Sequence, residues 1–216
     1  MLAWVYAAAV ACPGLDQTVI ATDSDEVADL CRQRNWPHLL TSPDLPSGSD
    51  RVHAVARQIP ADIYVNIQGD EPLLRPEHLS ALLRPFRHPG VEVSTLRVAC
   101  TPGNIANPNA VKVVTALDGR ALYFSRATIP FDRDAAHPVY WKHIGLYAYT
   151  ASALDRFTTL RPSELERTER LEQLRFLENG IPIHVETTTL DTVGVDTEDD
   201  LRAVEAILGS QAQPAL

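Results

Sequence analysis

The sequence predicts an α/β fold built on a mainly parallel sheet, with an antiparallel segment inserted into it. Short runs rich in β-branched residues alternate with helical segments over residues 1–100, which is typical of βαβ units. Farther along, Asp118-Gly119 separates the apolar runs 111–114 and 121–124, a pattern that favours a hairpin with a two-residue turn. The length of 216 residues and the hydrophobic share of 45% suffice for one domain with a large core, or for one domain plus a small lobe.

Helix caps and breakers divide the first hundred residues into alternating elements. Asp23 and Glu26 have the spacing of a capping box, and Pro76 suits the first turn of a helix. Ser49 or Asp50 can cap the helix that lies between these two helices in the chain. The predicted helices are 1–10, 22–34, 49–58 and 76–86, and the predicted strands are 18–21, 38–40, 63–67 and 91–98.

The second half is predicted to turn antiparallel before it returns to helices. Gly180 suits the end of one helix, and Thr197 with Asp200 makes a capping box for the last one. The predicted strands are 111–114, 121–124, 141–149 and 183–185, and the predicted helices are 167–179 and 197–208. We expect a single domain over 1–208, with the antiparallel insertion at about 107–149 and a flexible tail at 209–216.

Charge and cysteine content exclude several classes of protein. The net charge of -9 argues against a nucleic-acid binder, which would normally carry a basic face. No apolar run approaches the length of a membrane span, so we expect no membrane association. The three cysteines are widely spaced and odd in number, which fits neither a disulfide framework nor a zinc site and indicates a cytoplasmic protein.

Two aspartates follow apolar stretches at places where a sheet can present them to a ligand. Residues 63–67 run into Gln68-Gly69-Asp70-Glu71-Pro72, where Gly69 permits a tight turn and Pro72 ends the strand. Asp196 stands just before the cap of the last helix. Because open α/β sheets bind ligands at the carboxyl ends of their strands, the two carboxylates can converge on Mg²⁺. The alternatives are an acidic surface turn for Asp70 and a helix-start residue for Asp196.

Other polar side chains are candidates for ligand contacts, each with a structural alternative. Arg51 ends the small, flexible segment 47–51 at a helix start, which suits an anion or a nucleotide, although most such segments are ordinary turns. Arg126 at a strand end suits a carboxylate clamp or is simply solvated. His143 alternates with apolar neighbours and is either catalytic or structural, and by spacing alone Glu172 and Gln173 face solvent.

Six motifs in order resemble the 3-deoxy-manno-octulosonate cytidylyltransferases, the CMP-Kdo synthetases. They are Asn66-Ile67-Gln68-Gly69-Asp70-Glu71-Pro72, Asn107-Pro108-Asn109-Ala110-Val111-Lys112-Val113-Val114, Ala121-Leu122-Tyr123-Phe124-Ser125-Arg126-Ala127-Thr128-Ile129-Pro130, Lys142-His143-Ile144-Gly145-Leu146-Tyr147-Ala148-Tyr149, Leu171-Glu172-Gln173-Leu174-Arg175 and Gly194-Val195-Asp196-Thr197. The resemblance extends over about 18–208. It implies a Rossmann-like nucleotide-diphospho-sugar transferase fold whose antiparallel insertion forms a homodimer.

The resemblance also implies the reaction and the roles of the site residues. CTP and Kdo would give CMP-Kdo and pyrophosphate for lipopolysaccharide biosynthesis, with Mg²⁺ as cofactor. Asp70 and Asp196 would be the catalytic metal ligands, and Arg51 and Gln68 would contact the nucleotide. The residues of the sugar-acid pocket would be Arg126, His143, Tyr147, Glu172 and Gln173.

One part of the family pattern is not found in this sequence. Such enzymes begin with a strand and a triphosphate-binding loop of the type Pro-Ala-Arg-x-x-Ser-x-Arg-Leu-Pro-Gly-Lys-Pro-Leu, whereas residues 1–7 resemble the helix that follows that loop. We therefore expect the chain as written to be weakly active and less stable than a complete relative. Three alternatives stay open: a cytidylyltransferase for another sugar acid, such as sialic acid or an amino-Kdo, an inactive binding remnant, or an α/β protein without a nucleotide role.

Overall fold

The structure is a computed structural model that describes residues 1–195 and 197–209. Its helices are α1 (Leu2–Val10), α2 (Asp25–Arg34), α3 (Gly48–Ala56), α4 (Pro76–Leu83), α5 (Pro102–Ile105), α6 (Ala151–Thr159), α7 (Glu164–Glu169), α8 (Leu174–Glu178) and α9 (Glu198–Leu208), with a 3₁₀ turn at Arg84–Arg87. Its strands are β1 (Ile20–Thr22), β2 (His38–Leu40), β3 (Ile63–Asn66), β4 (Val93–Ala99), β5 (Lys112–Thr115), β6 (Ala121–Ser125), β7 (Trp141–Thr150) and β8 (His184–Thr187). The predicted metal ligand Asp196 and residues 210–216 of the predicted tail lie outside the described residues.

The chain divides into two compact units. The first comprises residues 1–80 and the described part of 192–216, and the second comprises residues 81–191. The single domain over 1–208 stays a prediction. Within the described residues, no helix is both long enough and apolar enough to cross a membrane.

The first unit contains the predicted βα alternation. β1 and β2 pair in parallel, with Ile20 opposite His38, and α2 connects them while it buries Ala28 and Cys31. Helix α1 is apolar over its whole length, and its Tyr6 ring stacks on Trp36 with centroids 4.7 Å apart. The predicted capping box of α9 is confirmed, since Thr197 and Asp200 bond each other's backbone N–H groups.

The caps of two helices in this unit differ from those predicted. Helix α2 is capped by Ser24, whose hydroxyl accepts from the Val27 N–H, and not by Asp23. Helix α3 begins at Gly48, one residue before the predicted start, because Ser47 rather than Ser49 or Asp50 caps it and accepts from the Asp50 N–H at 3.2 Å. Serine, aspartate and asparagine are similarly good caps, so composition alone does not choose among close neighbours.

The second unit is built on five strands in the order β6-β5-β7-β4-β8. β4 runs parallel to β8, whereas β7 is antiparallel to both β4 and β5, and β5 is antiparallel to β6. The antiparallel strands therefore lie in the predicted insertion. Its core is formed by fully buried side chains, each of which contributes roughly 1.5–3 kcal/mol by leaving water. The largest of them include Leu96, Phe124, Ile144, Leu146, Leu154, Phe157 and Phe176.

The β5–β6 hairpin has a three-residue loop rather than the predicted two-residue turn. The Ala116 N–H donates to the Arg120 carbonyl at 2.8 Å, and the Gly119 N–H donates to the Ala116 carbonyl at 3.1 Å. Gly119 takes φ +85°, a left-handed conformation that only glycine adopts without strain. The Asp-Gly pair thus forms a turn followed by a left-handed glycine, which is the next most common hairpin type.

The predicted helix 167–179 is in fact two short helices joined by a corner. Arg170 takes a left-handed conformation with φ 53°, which ends α7, and α8 starts after Gln173. The prediction of one helix was wrong because the leucine spacing of 171, 174 and 177 continues across the corner. The corner also changes where the two predicted pocket residues lie: Glu172 is half-buried and Gln173 is buried, so neither is on a solvent-facing helix surface.

Candidate active site

The turn after β3 exposes a carboxylate that the protein leaves available for a ligand. Asp70 is half-buried, and its side chain makes no hydrogen bond or ion pair with the described residues. Its carbonyl oxygen accepts from the Val195 N–H at 3.0 Å, so the segment 194–195 lies against the turn. The two predicted metal motifs are therefore adjacent, although the side chain of Asp196 is outside the described residues. Among the described residues, no group of three or more His, Cys, Asp or Glu side chains forms a metal site.

The second motif passes close to the Glu71 side chain at Gly194. A Cβ atom at Gly194 would lie 3.5 Å from Oε1 of Glu71, in ordinary van der Waals contact. The Glu71 side chain is half-buried, and its Oε2 atom has no exposed surface. Residue 194 thus lies beside the Glu71 carboxylate, and a Cβ atom there would fit without displacing it.

The start of α3 contacts the predicted nucleotide residue Gln68. A Cβ atom at Gly48 would lie 3.3 Å from Nδ2 of Asn66 and 3.5 Å from Nε2 of Gln68. The first distance is tighter than most Cβ contacts, so the lack of a side chain at residue 48 helps the Asn66 amide to approach the helix start. Gln68 is exposed at the end of β3, with its amide beside the N-terminus of α3. The structure therefore brings Gln68 together with the segment that contains Arg51.

Arg51 is held by two neighbours within the same unit. Its guanidinium donates to Oδ2 of Asp23 at 2.8 Å and to the hydroxyl of Thr41. The Arg51 hydrogen bond lowers the pKa of Asp23 below its ordinary value. The ion pair partly offsets the charge of Arg51. Because only 22% of the Arg51 side chain is exposed, the guanidinium is fixed in place rather than solvated.

His143 is a buried, neutral base on β7. Its Nε2 atom lies 2.9 Å from the hydroxyl of Thr95, and the edge of the Phe124 ring packs at a centroid distance of 4.9 Å. Burial, with a smaller contribution from Lys142, lowers the pKa of His143 to about 3. The imidazole is therefore uncharged at neutral pH and can contribute one donor and one acceptor.

Tyr147 and Gln173 have buried polar atoms with few protein partners. The Gln173 Nε2 atom is inaccessible to water and makes no hydrogen bond with the described residues, and the Tyr147 hydroxyl, which is equally inaccessible, interacts with the Thr95 hydroxyl. Burial raises the pKa of Tyr147 well above its ordinary value, and the neighbouring Tyr149 and Glu172 raise it further. The His143 and Tyr147 ring centroids are 5.5 Å apart, and Glu172 acts on the pKa of Tyr147. Three of the predicted sugar-acid residues, His143, Tyr147 and Glu172, therefore lie in one neighbourhood. Unsatisfied buried groups are rare in native proteins, and a ligand is one of their common explanations.

Arg126 is fixed by the backbone around it rather than solvated. Its guanidinium donates to the carbonyls of Glu169, Pro108 and Arg170 at 2.8, 3.1 and 3.4 Å. Because a guanidinium has five N–H groups, two are left for a ligand. Its charge faces neutral carbonyls, while the Glu169 carboxylate accepts from the Arg126 backbone N–H at 3.0 Å.

Two residues of this neighbourhood were not identified from the sequence. Lys112 is fully buried, and its ammonium donates to the carbonyls of Asn107, Ala110 and Arg126 at 2.8, 2.6 and 2.9 Å. Burial lowers the pKa of Lys112, although three carbonyl partners satisfy its donors. Thr95, also fully buried, bonds His143. The sequence signal for both residues is a polar side chain between apolar neighbours, which occurs at Ser94-Thr95 and at Lys112.

Comparisons with known proteins agree on one family. A family described as Cytidylyltransferase matches residues 1–187. A 3-deoxy-manno-octulosonate cytidylyltransferase of Acidobacterium capsulatum is 64% identical over 209 residues, which cover 96% of this chain and 85% of the relative. One of Koribacter versatilis is 56% identical over 212 residues, covering 98% of this chain and 81% of the relative.

A solved structure extends the likeness to the fold. CMP:2-keto-3-deoxy-manno-octonic acid synthetase complexed with CTP superposes with a TM-score of 0.93 at 37% identity, covering 98% of this chain and 88% of the other. A cytidylyltransferase from Leptospira borgpetersenii, at 13% identity, shares the fold with a TM-score of 0.60. The predicted nucleotidyltransferase fold is thereby confirmed.

Proposed function

Since the chain belongs to the cytidylyltransferase family, we propose that it transfers the cytidylyl group of CTP to Kdo, with CMP-Kdo and pyrophosphate as products. The observation that carries this function is the 64% identity, over 96% of the chain, to a 3-deoxy-manno-octulosonate cytidylyltransferase. The buried polar atoms of Tyr147 and Gln173 support it, because a polyhydroxylated sugar acid offers the hydrogen bonds that they lack. The product would supply lipopolysaccharide assembly.

The reaction needs positioning more than it needs a reactive side chain. The anomeric hydroxyl oxygen of Kdo loses its proton and forms a bond to the α-phosphorus of CTP, while the bond from that phosphorus to the β-phosphate breaks and its electron pair leaves with pyrophosphate. Phosphoryl transfers of this type require little covalent chemistry from the protein. The protein contributes mainly by holding the two substrates in a reactive orientation.

The second unit is suited to bind the sugar acid. The two remaining N–H groups of Arg126 can take the substrate carboxylate, since arginine matches the planar geometry of a carboxylate. His143, Tyr147, Glu172 and Gln173 provide neutral and acidic groups for the hydroxyls. Because the His143 imidazole is uncharged at neutral pH, it does not compete with Arg126 for the carboxylate.

The first unit is suited to bind the nucleotide and Mg²⁺. Gln68 presents its amide beside the start of α3, and Arg51 stands in the same segment, so both can contact the cytidine part of CTP. Asp70 and Asp196 would hold Mg²⁺, which fits the unpaired carboxylate of Asp70 because magnesium is usually bound by one or two carboxylates together with substrate phosphates. When bound, the ion would neutralise phosphate charge.

The direct test is formation of CMP-Kdo by the purified chain. We expect mass spectrometry to detect CMP-Kdo only when CTP, Kdo and Mg²⁺ are all present. Parallel reactions with sialic acid and with an amino-Kdo test the alternative sugar acids. A higher turnover with either of these, or no product from any acid, would contradict the proposed function.

Asp70→Asn tests the metal role. The change removes one anionic oxygen from a cation that takes few protein ligands, so we expect Mg²⁺-dependent transfer to be lost while the thermal melt is unchanged. Asp196→Asn should behave in the same way, and Asp62→Asn, at an exposed aspartate in the same unit, serves as control. Near-normal transfer in the Asp70 variant would remove that residue from the metal site.

We also propose that the protein works in the cytoplasm. The three cysteines, Cys12, Cys31 and Cys100, are all free, and two of them are buried. Free, buried thiols suit a reducing compartment. Fractionation of cells that express the chain would test this, and recovery with the membrane or periplasmic fraction would contradict it.

A further inference from the structure

A two-residue bulge in β7 creates a need for hydrogen bonds next to the sugar-acid residues. Leu96 pairs with Ile144, but the preceding Thr95 pairs with Tyr147, so Gly145 and Leu146 have no partner on β4. A bulge of this kind disrupts the regular ladder of hydrogen bonds and re-aims nearby side chains. The carbonyls of Ile144 and Leu146, on either side of Gly145, both lie within hydrogen-bond distance of a side chain of β4.

The hydroxyl of Thr95 meets that need. Its oxygen lies 2.8 Å from the Leu146 carbonyl and 3.2 Å from the Ile144 carbonyl, and the residue is fully buried. Carbonyl oxygens only accept hydrogen bonds, so the single hydrogen of Thr95 points toward them. If that hydrogen pointed at His143 instead, the lone pairs of the hydroxyl would face two carbonyl oxygens at contact distance.

The orientation of the Thr95 hydroxyl decides the tautomer of His143. The hydroxyl oxygen is 2.9 Å from Nε2 of His143, and with its hydrogen already donated it can only accept from that nitrogen. The neutral imidazole therefore carries its proton on Nε2. The other ring nitrogen, Nδ1, is left as a bare acceptor, and no described residue donates a hydrogen bond to it.

We propose that Thr95 is a positioning residue that fixes His143 as the Nε2–H tautomer, so that Nδ1 accepts a hydrogen bond from a hydroxyl of the sugar acid. The proposal rests on the proposed function for the identity of the ligand, but not for the tautomer. The group recognised is an O–H donor on a polyhydroxylated acid. A substrate that presents only an acceptor at this position is selected against.

The first experiment measures the tautomer without substrate or turnover. In wild-type protein labelled with ¹⁵N at histidine, we expect two-bond ¹H–¹⁵N correlation spectra to show His143 as one species, protonated on Nε2. In Thr95→Val, which keeps the shape and removes the hydroxyl, we expect protonation to move wholly or partly to Nδ1. Thr95→Ser restores the hydroxyl and should restore the Nε2–H tautomer. A wild-type His143 protonated on Nδ1, or a tautomer unchanged in Thr95→Val, overturns the proposal.

The second experiment measures substrate use. We expect Thr95→Val to raise KM for Kdo by about 2- to 10-fold, the range for one neutral hydrogen bond, with little change in KM for CTP, and Thr95→Ser to restore it. Because Thr95 acts through His143, the effect should vanish in a His143→Phe background. An equal effect in that background contradicts the proposal.

Two controls separate the possible failures. Thr159→Val makes the same chemical change at an exposed threonine of α6 and should leave all readouts unchanged. If Thr95→Val unfolds, as a thermal melt would show, Thr95→Ser and the wild-type spectrum still decide the tautomer. If the spectra agree with the proposal but no sugar acid yields a product, the proposed function fails and the hydrogen-bond assignment stands.

Discussion

At the scale of single residues, Arg126 illustrates how a binding group is prepared by its own backbone. Three carbonyls receive its N–H groups, and one more carbonyl, its own, receives a hydrogen bond from the buried ammonium of Lys112 at 2.9 Å. Both the side chain and the main chain of residue 126 are thus fixed before a ligand arrives. Preorganisation of this kind reduces the entropy lost on binding.

Arg126→Lys should mainly impair use of the sugar acid. Lysine cannot bond several carbonyls and also make a planar two-point contact with a carboxylate. We expect KM for Kdo to rise by about tenfold or more, as for loss of a hydrogen bond to a charged group, while KM for CTP stays the same. Steady-state kinetics with each substrate varied in turn measure both constants. Arg120→Lys, at an exposed arginine of the hairpin, is the control, and an unchanged response to Kdo would exclude Arg126 from the pocket.

His143 makes the stability of the protein depend on pH in a defined window. Its pKa in the folded protein is about 3, below the ordinary value of 6.5. Between these values the unfolded chain binds a proton that the folded chain excludes. The stability gained from keeping His143 neutral is therefore fully present above about pH 6.5. The free energy of unfolding falls by about 1.4 kcal/mol per pH unit as the pH drops toward 3.

The measurement compares wild type with His143→Gln, which does not titrate at this position. Urea denaturation at pH 7, 6, 5 and 4 gives the free energy of unfolding of both proteins. We expect the stability difference, wild type minus variant, to shrink as the pH falls. A difference that is constant across these pH values would show that His143 is protonated as readily in the folded state as in the unfolded state.

At the scale of elements, the corner between α7 and α8 determines where the pocket residues lie. Glu166 on α7 accepts from Nε of Arg175 on α8 at 2.8 Å and also from its Nη2, with both side chains nearly buried. The Arg175 guanidinium also lies 4.3 Å from the centroid of the Phe157 ring. Although burial opposes it, these hydrogen bonds and one from the Ser163 N–H lower the pKa of Glu166. The pair thus ties together the two helices on either side of Glu172 and Gln173.

Glu166→Gln should weaken the corner and the sugar-acid pocket together. Removing one charge of a buried pair leaves the other uncompensated, so we expect the free energy of unfolding to fall by about 3 kcal/mol. Urea denaturation measures this, and kinetics should show a higher KM for Kdo. The matched change Glu164→Gln, at an exposed residue of the same helix, should alter neither quantity. A variant as stable as wild type would show that the corner is held by its apolar contacts alone.

At the scale of the whole molecule, two large aromatic residues of the predicted dimer-forming insertion are used inside the second unit. Tyr149 is buried and stacks on Phe176 with centroids 5.7 Å apart, and Trp141 is covered by the Arg97 guanidinium at 4.2 Å. Other apolar side chains of the predicted insertion are exposed instead. Leu122, Phe131 and Val139 are 63%, 86% and 60% accessible, and exposed apolar groups of this size are common at interfaces between subunits.

We predict a homodimer that buries these three side chains. Light scattering at tens of micromolar should give twice the mass of one chain. Phe131→Asp should lower that mass toward the monomer, because a charge would be buried without a partner. Val10→Asp, at an exposed valine of α1, should leave the mass unchanged. A monomer mass for the wild-type chain would contradict the dimer.

The sequence by itself determined the order and type of most elements and the identity of the candidate site residues. Local signals were sufficient for this, because apolar runs, glycines and prolines act through nearby residues. The boundaries of β2 and the capping box of α9 were predicted correctly for that reason. The six motifs identified the family because each has its residues at short, fixed spacings.

Tertiary structure decided which polar groups are satisfied and which are left for a ligand. The left-handed turn at Arg170 interrupts a continuous leucine pattern, and it buries Gln173, which spacing alone placed in solvent. The partners of Thr95 and Lys112 come from other strands and loops, and the bulge in β7 that requires Thr95 exists only once β4 and β7 are paired. Hydrogen bonds between residues far apart in sequence depend on strand register and burial, and neither is encoded in a local pattern.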